Sequence, residues 1–146
     1  MSMKLRLAAG IVLFVGLCAA VVHSQTPKTY KAVFDVSEGG DAYFERVIQK
    51  IANLSRDSRL AGHLDIKIVA HSEGIDFMVK AKNQQQSESI PVLTRAGSGI
   101  TLQACNNSLA GHNLKPADLF AGVEVIESGI GEIVLLQQQG YAYFKP

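Results

Sequence analysis

An α/β fold, with a largely parallel sheet and helices on both faces, is what this chain of 146 residues predicts. Three observations carry the prediction. Short apolar runs with a β-branched bias alternate with stretches whose apolar residues recur at helical spacing. Turn residues, mostly Gly, Ser, Asn and Asp, separate one kind of segment from the other. The composition, 47% hydrophobic and 18% charged, belongs to a folded chain and not a disordered one. The length suits one domain.

The elements follow in order. Residues 31–36 (KAVFDV) read as a buried strand. After the turn 37–41 a helix is predicted to about Leu60. Its residues Phe44, Val47, Ile48, Ile51 and Leu54 share one face, Asp41 is placed to cap it, and Gly62 stops it. Residues 64–70 (LDIKIVA) form the second strand and 75–82 a predicted helix. The Gln-rich stretch 83–89 is the candidate mobile segment, a surface loop or a lid. Pro91 opens a helix that Gly97 and Gly99 end. Residues 100–104 (ITLQA) form the third strand and run directly into Cys105, and a short helix opens at Asn106. Residues 123–126 (VEVI) are the fourth strand. Ser128 caps a helix over 129–138, and 141–144 (YAYF) is the fifth strand. In such a sheet the functional loops gather at the carboxyl ends of the strands. Here they are 37–41, 71–74, 105–108 and 128–129.

Residues 1–24 read as an export leader. Lys4 and Arg6 precede a run of apolar or small residues from 7 to 22, and Val22 and Ser24 suit a cut before Gln25. The run is shorter than the roughly 20 residues that span a bilayer, so a cleaved signal is favoured over an anchor. A periplasmic or secreted protein of residues 25–146 follows, with no membrane attachment after cleavage. Losing Lys4 and Arg6 turns the net charge from +1 to −1, which argues against nucleic acid as a partner. Cys18 leaves with the leader and Cys105 stays as the lone thiol.

Cys105 is the leading chemical candidate. A thiol between a strand's carboxyl end and a helix's start meets unpaired N–H groups that favour thiolate, the nucleophilic form. The competing reading is a small buried hydrophobe. His71, at the equivalent point of the second strand, could pair with it as imidazolium or simply bond the backbone nearby. Ser37, Glu73, Asn106 and Asn107 lie on the same edge as binding candidates, and Glu38 lies beside them. Gly39-Gly40 fits neither the dinucleotide fingerprint nor the P-loop. No histidine or cysteine has zinc-type spacing, no Gly-x-Ser-x-Gly turn is present, and no cofactor is implied.

Residues 31–146 resemble the DsrE/DsrF-like family, in particular its small single-domain YchN-like members. The parts that carry the resemblance are KAVFDVS, the strand ending in Ala70-His71, the strand running into Cys105, and the tail SGIGEI followed by GYAYFKP. The resemblance implies a three-layer α/β/α fold with a five-stranded, mainly parallel sheet, and assembly into dimers, trimers or hexamers. It implies that Cys105 carries sulfur as a persulfide between donor and acceptor proteins. The alternative is a non-enzymatic oligomeric module that binds a small ligand or a protein, with a structural cysteine. Two features depart from the relay members: they work in the cytoplasm, and their turn after the second strand is often Gly-rich, where this chain has Ser72-Glu73-Gly74.

Overall fold

The computed structural model describes residues 28–146. The leader read at 1–24, with Cys18, lies outside them. Five strands form one all-parallel sheet: β1 (Tyr30–Val36), β2 (Leu64–Ala70), β3 (Ile100–Cys105), β4 (Glu124–Ile126) and β5 (Ala142–Phe144), in the order β4-β3-β2-β1-β5. The helices are α1 (Asp41–Arg56), α2 (Ser89–Leu93), α3 (Asn106–Gly111) and α4 (Gly129–Gln138).

The topology explains where the helices lie. From β1 to β4 the chain steps steadily across the sheet, and right-handed crossovers place those three connections on one face. The return from β4 to β5, on the far side of β1, reverses direction and puts α4 alone on the other face. Side chains alternate along each strand to match. Ala32, Phe34, Val36, Ile66, Ile68, Ala70, Leu102 and Ala104 point to the first face, where they bury Phe44, Val47 and Ile51 of α1. Val33 and Val69 point to the second, against Ile133 and Leu136 of α4 and against Tyr141.

Three sequence expectations change. The predicted helix over 75–82 is instead a tight 3₁₀ coil at Ser72–Met78 followed by a turn. Ile75, Phe77, Met78 and Val79 are all buried, more sides than one helical face can bury, and the Asn83 amide donates to the Phe77 carbonyl at 2.9 Å. Asp41 does not cap α1. Gly40 holds that position at φ 99°, and Asp41 is the first helical residue. The stretch 83–89 is anchored, with Asn83 and Gln86 buried, and leads to the amino-terminal edge of the sheet, away from Cys105. Ser128 does cap α4, its hydroxyl accepting from the Gly131 N–H at 3.3 Å.

Candidate functional site

Neighbouring strands whose onward chains leave toward opposite faces open a crevice at their carboxyl ends. β3 and β4 are such a pair: β3 turns into α3, whose Leu109 packs on the first face, and β4 leads to α4 on the second. Cys105 stands at this crevice, as the last residue of β3 and the residue before α3.

The sulfur is held in a cradle of donors. The Ser108 hydroxyl and the backbone N–H groups of Gly129, Ser108 and Asn107 lie around it and favour its thiolate form. Burial pushes the thiol pKa up, but these donors outweigh it, and the thiol titrates below its ordinary value. Ser108 is itself oriented. Its oxygen accepts the Ser72 N–H at 2.8 Å, which leaves its proton free for the sulfur. To present that N–H, Ser72 takes a left-handed backbone at φ 50°, a conformation that costs a non-glycine residue energy and recurs at functional sites. Cys105 as a residue is only 4% exposed.

His71 reaches the same edge, since Ala70 and Ala104 pair across β2 and β3. Its ring does not hydrogen-bond to Cys105, because both nitrogens are engaged elsewhere. Nε2 donates to Asp35 Oδ1 at 2.9 Å, and Nδ1 meets Ser72 Oγ at 3.1 Å. The contact that links His71 to the thiol runs through Gly129. A Cβ at position 129 would stand 2.7 Å from His71 Cβ and 3.1 Å from the ring. The start of α4 therefore rests on the imidazole, and that seat sets where the Gly129 N–H points.

The buried carboxylate of Asp35 organises the neighbourhood. Besides His71 it accepts the Tyr143 hydroxyl at 2.6 Å, and Lys145 lies 3.9 Å away. The carboxylate beside Tyr143 and partial burial push that phenol up to about 12. Lys145 also donates to Ser37 and pairs with Glu38 at 3.8 Å. Of the other candidates, Glu73 is exposed beside Gly39, and Asn106 and Asn107 are exposed on the first turn of α3. Asn107 contributes its backbone N–H and not its side chain.

Sequence reasoning placed Ser72, Ser108 and Gly129 in the loops at this edge without giving them a role, and missed Asp35, Tyr143 and Lys145. Asp35 left a signal, a lone acid inside the apolar run AVFDV, where a buried charge requires partners. Among the described residues no cluster of three or more His, Cys, Asp or Glu is arranged to hold a metal ion. Nor is any helix among them long and apolar enough to cross a membrane.

These features define a class: a single-domain parallel α/β protein with a thiol cradled at its topological switch point. Comparison with known proteins narrows it. The DsrE/DsrF-like family model matches residues 31–146, and the chain belongs to that family. Among solved structures, the chain is similar to a protein of unknown function, MTH1491 from Methanobacterium thermoautotrophicum. Identity is 32%, the match covers 80% of this chain and 99% of that one, and the TM-score is 0.71. No curated protein matches the chain.

Proposed function

We propose that this chain is a periplasmic or secreted sulfur carrier that holds sulfur as a persulfide on Cys105. The cradle carries the reading. Four donors converge on one sulfur at the place where parallel α/β proteins bind ligands. Membership of a family generally associated with sulfur relay supports it. The Cys105 thiolate attacks the outer sulfur of a donor persulfide, forming the Cys105 S–S bond and releasing the donor thiolate. An acceptor thiolate then attacks that outer sulfur, and Cys105 leaves as thiolate, with no net oxidation in either step. The donors stabilise the sulfur anion at the start and end of the cycle.

The basic-then-apolar leader supports export. Self-association as a dimer, trimer or hexamer completes the reading. On α4, Ile130, Val134 and Leu135 are each more than half exposed, although the opposite side of this helix is already buried against the sheet. A short helix that is apolar nearly all round is one that another surface covers.

One observation favours a second reading. At 4% exposure Cys105 is nearly enclosed, as a structural cysteine in a ligand-binding or protein-binding module would be. Intact mass separates the two. After incubation with polysulfide, the carrier gains one sulfur atom that reductant removes, and the Cys105→Ser variant gains none. If native Cys105 neither gains sulfur nor reacts with a thiol-alkylating reagent, the carrier reading falls and the binding module replaces it.

A further inference from the structure

A surface pocket of about 590 Å³ opens at the amino-terminal edge of the sheet, the end opposite Cys105. Its size lies in the range of small-molecule sites. The walls come from the end of α1, the start of β2, the end of α2 and residues 95–98 of the loop that leads to β3. Leu64, Leu93, Val92 and Ile100 make one side apolar. Arg56 and Arg95 bring two guanidinium groups from separate elements.

No carboxylate lines the cavity, and among the described residues neither arginine is in an ion pair. Asp57, the acid nearest Arg56 in sequence, is held by Arg59 at 2.5 Å. The wall adds one hydroxyl. Ser98 Oγ accepts the Ile100 N–H at 3.2 Å and keeps its own proton free to donate. Ser55 Oγ is enclosed behind the wall with no partner. The loop is a firm floor. Gly99, at φ 72°, lies so close to the Leu64 carbonyl that a Cβ would stand 2.2 Å from it, and its own carbonyl accepts the Ile66 N–H at 2.7 Å.

We propose that this cavity is a second site, separate from the Cys105 crevice, which binds a small organic anion with an apolar tail, a carboxylate or sulfonate. The arginines take the anionic head, since a planar guanidinium matches a carboxylate in paired hydrogen bonds. Leu64, Leu93, Val92 and Ile100 take the tail. The chemistry needs neither a reactive thiol nor sulfur transfer, so this site stands or falls independently of the carrier reading.

The test is an amide NMR titration of the full chain with octanoate, alongside octanol (the tail alone) and inorganic phosphate (a head alone). Octanoate is expected to bind saturably, shifting the amides of Ala52, Gly97 and Gly99, and to bind more tightly than either partial probe. Arg56→Gln and Arg95→Gln, both at exposed positions, each weaken octanoate about tenfold, the loss of one charged hydrogen-bonding partner. The same spectra report that the variants are folded. Octanoate binding no tighter than octanol and unchanged in the double variant would overturn the proposal, as would shifts confined to α4.

Discussion

The two faces of the sheet are built on opposite principles. The first is covered by α1, the 3₁₀ coil, α2 and α3, and its buried residues are almost wholly apolar. The second has one ten-residue helix, and it buries Asp35, His71 and Gln103 beside a few aliphatic residues. A single strand shows the contrast: in β1, Phe34 and Val36 face the first side, Val33 and Asp35 the second. Topology sets the difference, because the one reversal of direction sends only α4 to the second face. Stability is concentrated on one side, and the other is left to hold polar groups in exact positions.

Paired truncations test that contrast most strongly. Leu102→Ala on the first face is expected to cost about 4 kcal/mol in urea unfolding, and Leu136→Ala beneath α4 about 2 kcal/mol. Both side chains are almost fully buried, so equal costs would show that the faces do not differ in packing. Gly129→Ala comes next, at about 1–3 kcal/mol, because the new methyl overpacks against His71. It also displaces an N–H from the sulfur, so the alkylation rate of Cys105 is expected to start rising at higher pH than in the native protein.

Ser108→Ala is smaller in stability, about 1 kcal/mol, since the Ser72 N–H loses its acceptor. A thiol whose folded pKa is depressed stabilises the fold above the unfolded thiol pKa, and that contribution is lost as pH falls through the folded value. The variant is therefore expected to lose more stability in mildly alkaline solution than in acid, which denaturation at two pH values measures. Tyr143→Phe is the mildest. Its phenol is raised from 10.0 to about 12, so its contribution is complete below the unfolded value and disappears as pH rises through the folded one. Replacing it flattens the stability profile across that window. An unchanged profile would show that the contact with Asp35 carries no energy.

The strands were legible in the sequence because each is a short apolar run bounded by turn residues, and Cys105 because it sits where such a run stops. The loops that build the cradle were legible as turns at one sheet edge, but the donors within them were not. Three of the cradle's four donors are backbone N–H groups, which no side-chain pattern marks, and Gly129 is brought to Cys105 only by the β3–β4 pairing. Tyr143 and Asp35 meet through the pairing of the last strand with the first, a juxtaposition that no local pattern encodes. The failed helix over 75–82 has a physical cause too. Hydrophobicity all round a segment says that it is buried, not which coil it takes.

The seat of Gly129 on the imidazole has a consequence for how the chain tolerates change. Positions 71 and 129 are not free to drift separately. With histidine at 71, glycine is the one residue that leaves the start of α4 where it is, whereas glycine at 71, which has no Cβ, removes the obstacle to a methyl at 129. The double variant His71→Gly with Gly129→Ala should therefore be more stable than the sum of its two single losses, a coupling that a double-mutant cycle reads directly. Additive losses would mean that the His71 side chain and the helix start do not bear on each other.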